Sequence, residues 1–299
     1  MRRLVPGDTL ALVAPSGPIP QVHLDAALPV LETWGLKVSV GPCVRSRHST
    51  LDYLAASDAE RAAEFTAAWL DPSVQCVLAA RGGYGSQRML DLIDWHALAD
   101  APPKIFAGSS DVTALHQAIS AHLGLVSLFS PMPASPRFDT FAAEHLRQSL
   151  FEPEKVLTLS SPLSRTLVPG RARGVLTGGN LALLAAGLGT PEQGSARGRI
   201  VLLEDVTESV YRLDRLLTQL LRSGWFDGVA GIVLGSWTGC GTPERVEALM
   251  LDRLGSLGVP VLADLGFGHV DASPTVPLGV AAELDATEGT LTIDDPAFG

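Results

Sequence analysis

The sequence predicts an α/β protein, with a parallel-sheet (Rossmann- or flavodoxin-like) N-terminal domain and a smaller, β-rich C-terminal α/β domain. Three observations carry this. Over the first 150 residues, short apolar runs alternate with amphipathic stretches of helical period, the pattern of a parallel sheet with helices on both faces. Residues 151–175, "FEPEKVLTLSSPLSRTLVPGRARGV", are rich in Pro, Ser and charge, with short strand-like pieces. Past them, helices alternate with strands that end in a hairpin pattern. The expected division is 1–150, a linker at 151–175, and 176–299.

In order, "TLALVAP" (9–15) reads as a strand and "QVHLDAALPVLETWG" (21–35) as a helix ending at a glycine. "LKVSV" (36–40) is a second strand. "SDAERAAEFTAAWLD" (57–71) is a helix with Ser57 as N-cap and Glu60 completing a capping box. "VQCVLAA" (74–80) is a strand, and "RGGYGSQRMLDLI" turns from it into a helix. "KIFAG" (104–108) and "LVSLF" (125–129) are strands separated by the helix after Ser110. In the second half, "LTGGNLALLAAGLG" is a turn and helix, "RIVLLED" (199–205) a strand and "YRLDRLLTQLLRSG" (211–224) a helix. "VAGIVLGSW" (229–237) is a strand and "PERVEALMLDRLGSLG" (243–258) a helix. "GVAAELDATEGTLTID" (279–294) is a hairpin turning at Thr287–Gly289.

Hydrophobic residues make up 46% of the 299 and charged residues 18%, enough for a large core and against global disorder. The net charge of −10 argues against a nucleic-acid-binding face. The apolar stretch after Arg2 and Arg3 is too short for a secretory signal, and no run approaches a membrane span. Cys43, Cys76 and Cys240 are odd in number and far apart, as buried thiols in a reducing compartment would be. The expectation is a cytoplasmic protein without a cofactor or metal.

In such sheets, function sits in loops at the carboxyl ends of strands. "GSSDVT" (108–113) is one such place. Either Ser109 or Ser110 caps an ordinary helix, with Asp111 favouring its positive end, or one of them is a nucleophile on a strand-turn-helix elbow. Val112 stands where a second glycine of G-x-S-x-G would be. "RGGYGS" (81–86) lacks a phosphate-loop lysine; it is a tight turn, an anion cradle or a source of N–H donors to an oxyanion. In "LLEDVTESVYRLDRLL" (202–217), a salt-bridged helix face accounts for Asp214 and Arg215 but not for Glu204, which ends a run of buried type and needs a partner. His269 lies in a Gly/Pro loop, "DLGFGHVDASPTVPLG" (264–279), whereas the other six histidines are expected mainly on helical or loop surfaces.

These pieces together, with "VAPSG" (13–17), "SPMP" (130–133), "GGNLALL" (178–184) and "VLGSW" (233–237), resemble the LD-carboxypeptidases, or muramoyl-tetrapeptide carboxypeptidases, over nearly the whole chain. The resemblance implies a homodimer with Ser110 as nucleophile, Glu204 as triad acid and His269 as base. On that reading the N–H groups of Gly83 and Asp111 form the oxyanion hole, and Asp111 is free to cap its helix. Arg81, Gly82, Tyr84 and Arg212 are then candidates for substrate contact, either arginine serving a terminal carboxylate. Ser109 is small where relatives often carry a larger residue. The implied substrate is a cytoplasmic murein tetrapeptide that loses its terminal D-alanine during cell-wall recycling, with no nucleic-acid or membrane partner. Two alternatives stand beside it: a microcin-C-immunity-like serine peptidase acting on peptidyl-nucleotides, and a non-catalytic phosphate-binding module using "RGGYG".

Overall fold

The computed structural model describes all 299 residues. The first half builds β1 (Thr9–Val13), α1 (Gln21–Thr33), β2 (Lys37–Val40), α2 (Asp58–Leu70), β3 (Val74–Ala79), α3 (Ser86–Met89), α4 (Trp95–Asp100), β4 (Ile105–Gly108), α5 (Thr113–Ala118), β5 (Ser127–Phe129) and α6 (Thr140–Phe151). The second half adds β6 (Thr158–Ser160), β7 (Arg165–Val168), β8 (Arg171–Asn180), α7 (Leu181–Ala186), β9 (Arg199–Val206), α8 (Val210–Arg222), β10 (Gly231–Thr238), α9 (Pro243–Leu254), β11 (Val261–Ala263), β12 (Val276–Leu278), β13 (Ala281–Asp285) and β14 (Thr290–Ile293).

Two sheets result. One runs β12-β5-β4-β3-β1-β2, and its five N-terminal strands are parallel. The central strands read as near-continuous apolar runs because helices cover both faces: β4 is buried at every residue, whereas the edge strand β2 alternates between exposed and half-buried. The capping box at Ser57 and Glu60 forms as the sequence predicts. The other sheet has eight strands in the order β6-β14-β13-β8-β9-β10-β11-β7; β8 to β11 are parallel and the flanking pairs antiparallel. The β13–β14 hairpin turns where expected.

Two expectations about chain organisation need correction. Residues 151–175 are not a linker: they carry β6, β7 and the start of β8, all members of the second sheet. Short edge strands tolerate the Ser and Pro that suggested a spacer. The division at 176 is not clean either. β12 leaves the second half to pair antiparallel with β5, and the C-terminus returns to the first core, where Phe298 packs with Leu4 and Leu150. The chain therefore stitches the two sheets together on both sides of the β5–β12 pair. No helix is long and apolar enough to cross a membrane.

Candidate active site

Ser110 lies two residues past the end of β4, after Ser109, and opens a single 3₁₀ turn that leads into α5. Its backbone is left-handed, with φ +62°, a conformation that costs an L-residue of this kind about 1–2 kcal/mol. Ser109 is extended (φ −150°) and buried, and its side chain caps nothing. The elbow, not the ordinary N-cap, is thus the geometry at this strand end, and Ser110 stands at its apex. Its hydroxyl has no hydrogen-bond partner in the chain. Gly82 presses against it: a Cβ there would lie 2.9 Å from Ser110 Cβ and 3.1 Å from its Oγ. Any side chain at Gly82 would displace Ser110, which is the physical reason for glycine. Gly83 follows with an N–H that has no acceptor in the chain. Asp111 is the second residue of a helical turn too short to satisfy its N–H. Both donors that the sequence nominates for an oxyanion are thus uncommitted.

The Asp111 carboxylate does not cap its own helix, contrary to expectation. Oδ2 accepts instead from Ser16 Oγ (2.5 Å) and from Ser86 N (2.8 Å), while Ser86 Oγ donates to the Asp111 carbonyl (2.5 Å). The loops after β1, β3 and β4 are thereby clipped together at one buried carboxylate. His116, expected on the surface, is buried beneath this elbow, and burial lowers its ring to about 4. Nε2 lies 2.9 Å from the Gly108 carbonyl and Nδ1 2.7 Å from Ser127 Oγ. A carbonyl only accepts, so Nε2 donates and the neutral ring's Nδ1 takes the Ser127 proton. His116 is a structural pin between β4 and β5.

Glu204 and Asp205 lie near the carboxyl end of β9, both buried. Glu204 has the partner its position demands: Oε2 is 2.6 Å from His269 Nδ1. Gly268 permits this, because a Cβ at that residue would sit 2.7 Å from Glu204 Oε2. Burial pulls the His269 pKa down, but the charge and hydrogen bond of Glu204, with Asp205 behind it, outweigh burial and raise it; Arg137 opposes them. Burial pushes Asp205 up to about 6. The imidazole is therefore held with Nδ1 toward the carboxylate, leaving Nε2 free of any hydrogen bond.

Sequence reasoning missed Asn180, which couples the two strand ends. Its Nδ2 donates to Glu204 Oε1 (3.2 Å) and Asp205 Oδ1 (3.0 Å), and its backbone N–H donates to Thr113 Oγ1 (3.0 Å), three residues beyond Ser110. One residue thus touches both the acid and the helix behind the nucleophile candidate. The signal was present as "GGN": two glycines before a polar residue at a strand end mark a close approach, and a Cβ at Gly179 would lie 2.6 Å from Thr113 Oγ1.

Of the remaining candidates, Arg81 is half-buried beside Gly82, with Nη1 donating to the Pro18 carbonyl (2.6 Å). Tyr84 is half exposed and meets Tyr53 edge-on at 5.7 Å. Arg212 lies on the exposed side of α8, paired with Glu208 at 3.5 Å, and makes no hydrogen bond or ion pair with Glu204 or His269. No hydrogen bond joins Ser110 to His269.

Residues 10–130 match the LD-carboxypeptidase N-terminal domain and residues 173–284 the LD-carboxypeptidase C-terminal domain. A Streptomyces coelicolor protein named as a carboxypeptidase, SCO6489, is 58% identical over 99% of this chain and 96% of its own length. The murein tetrapeptide carboxypeptidase of Pseudomonas aeruginosa is 32% identical over 92% of each chain. The solved structure of MccF in complex with glutamyl sulfamoyl guanosine superposes with a TM-score of 0.88 at 23% identity, covering 100% of this chain and 99% of that one. At that identity, the likeness concerns the fold.

Proposed function

This chain belongs to the LD-carboxypeptidase family, and from that premise we propose that it is a serine carboxypeptidase releasing the terminal D-alanine of murein tetrapeptides. The observation that carries the reading is the Glu204–His269 pair, its carboxylate fully buried, coupled through Asn180 to the helix that follows the strained turn presenting Ser110.

The chemistry follows from the residues. His269 Nε2 takes the Ser110 proton as Oγ attacks the carbonyl of the third residue of the peptide. The oxygen that becomes negative is received by the N–H groups of Gly83 and Asp111. His269 then returns the proton to the departing D-alanine amine, leaving an acyl-serine. Water, deprotonated by the same imidazole, hydrolyses that ester and regenerates Ser110. Glu204 holds the Nδ1 proton and stabilises the imidazolium. Ser110 follows β4 of the first sheet, while His269 is bonded to Glu204 on β9 of the second; the two are not yet bonded, as is common before substrate binds, and rotation of the Ser110 side chain completes the triad. The murein substrate is supported by the name of the Pseudomonas relative. The setting proposed is cytoplasmic recycling of murein peptides by a homodimer.

The test is D-alanine release from a panel of tetrapeptides, run beside fluorophosphonate labelling of the wild type and Ser110→Ala. Release and labelling that both vanish in the variant support the reading. An unlabelled wild type with no release rejects it in favour of a binding module. A peptidyl-nucleotide in the same panel serves as the rival substrate, since MccF shares the fold.

A further inference from the structure

An enzyme that removes a terminal residue needs a cation for the free carboxylate, and acidic groups dominate here: Glu204, Asp205 and Asp111 are all buried around the site. Neither arginine nominated from sequence suits the task well. Arg81 donates from Nη1 to the Pro18 carbonyl and Arg212 pairs with Glu208; neither makes a polar contact with the His269 loop.

Arg137 is differently placed. The loop that carries it starts at the elbow: Ser130 N donates to the Gly108 carbonyl (2.9 Å) and Ala134 N to the Ala80 carbonyl (3.0 Å). Met132 of this loop lies against Gly82, its Cε 3.3 Å from where a Cβ would be. The loop then reaches the His269 loop, where Arg137 Nη1 meets Asp271 Oδ1 at 3.0 Å, and the guanidinium charge acts on the His269 ring. Arg137 therefore joins the loop after β5 to the His269 loop, with one end of its chain segment near Gly82 and Ser110 and its head group on Asp271, two residues from His269. Only one of its five N–H groups is engaged.

A latch between loops is the competing explanation. That role is already filled: Asp139 Oδ2 accepts from Ala272 N at 2.7 Å, while Oδ1 caps α6. The Arg137–Asp271 pair is solvent-exposed on both sides, 39% and 76%, and such pairs contribute little. A bidentate carboxylate offers the guanidinium a better partner than one exposed aspartate oxygen.

We infer that Arg137 anchors the free terminal carboxylate of the substrate, an inference that rests on the carboxypeptidase reading above. The subsite takes a C-terminal D-amino acid with an ionised carboxylate. Bound there, the terminal residue lies between the nucleophile loop and the His269 loop, where its amine can receive the imidazole's proton.

The experiment compares kcat/KM for a murein tetrapeptide and its C-terminal carboxamide in the wild type, Arg137→Gln and Arg137→Lys. The wild type should prefer the acid by about 100-fold, the size expected of a charge-assisted bidentate contact. Arg137→Gln should bring the acid-to-amide ratio close to one, chiefly through KM, and Arg137→Lys should restore part of it. If Arg137→Gln lowers both substrates equally, or keeps the preference, the assignment is overturned and the carboxypeptidase reading stands. If the wild type itself cuts acid and amide alike, the carboxypeptidase reading fails together with it.

Discussion

Ser110 is held by its backbone, whereas Glu204 and His269 are held by their side chains. The serine stands on a left-handed residue between a strand and a helix, its hydroxyl unbonded and its surroundings fixed by Gly82 and the Asp111 clip. The acid and base form a 2.6 Å hydrogen bond in place already, backed by Asn180. The difference teaches where each part of the proposed chemistry draws its order. The aim of Ser110, the proposed nucleophile, is stored as backbone strain, which the buried first sheet enforces. The base's tautomer is stored as a charge-assisted hydrogen bond in the second sheet, which needs no strain.

The largest effect should come from the strained side. Ser110→Ala and Ser110→Gly should each lose on the order of 10⁶ in kcat, by analogy with another serine triad. Their stabilities should differ. Alanine keeps the left-handed penalty and glycine does not, so Ser110→Gly should melt higher than Ser110→Ala by the equivalent of about 1 kcal/mol. D-alanine release and thermal melts report the two effects. Equal melting temperatures would show that the elbow holds no strain.

On the hydrogen-bonded side, Glu204→Gln should keep the fold and lose roughly 10⁴ in turnover, the loss seen when the acid of another triad becomes an amide. The amide can present its NH₂ to Nδ1, leaving the proton on Nε2, where a base is needed. A folded variant with near-normal turnover removes Glu204 from the proposed mechanism.

The pH profile separates the halves further. Because Glu204 raises the His269 pKa, the imidazole is a usable base only above its ordinary value of about 6.5. Activity in kcat/KM should therefore fall about tenfold per unit below a midpoint higher than that. Stability runs the other way. A raised histidine contributes stability that is fully present below the unfolded pKa and is lost as pH rises through the folded one. An activity midpoint at or below 6.5 would mean that burial, not Glu204, governs the ring.

Much of this was legible in the sequence, and the misses have physical causes. The central parallel strands announced themselves because burial leaves few polar residues to break the run, β4 none at all. Glu204 stood out for the converse reason, a charge ending a buried strand. His116 did not stand out, because a histidine on a helix shows its periodic face but not the neighbouring strand that covers it. The Asp111 contacts with Ser16 and Ser86 join residues 95 and 25 positions apart, which no local pattern encodes. Strand-like pieces showed in 151–175, but edge strands of three and four residues carry too few positions to reveal that β6 and β7 belong to a sheet and not to a linker. Arg137 was overlooked since its loop looked like punctuation, and only the fold brings it across the cleft.

The smallest expected effect tests which of two adjacent serines the elbow serves. Ser109 is buried and extended, and its hydroxyl takes part in no hydrogen bond, while its carbonyl accepts from Val112 N at 3.3 Å. Alanine at 109 keeps that carbonyl and the extended backbone and removes only an oxygen without a partner. Stability should change by no more than about 0.5 kcal/mol. Turnover should stay within about tenfold, or ~1.4 kcal/mol in the barrier, because the N–H groups of Gly83 and Asp111 and the position of Ser110 are untouched. Probe labelling should persist in Ser109→Ala and disappear in Ser110→Ala. The reverse outcome would move the nucleophile one residue back, away from the left-handed apex. The φ of +62° would then have to be explained as a packing consequence of the Asp111 clip alone.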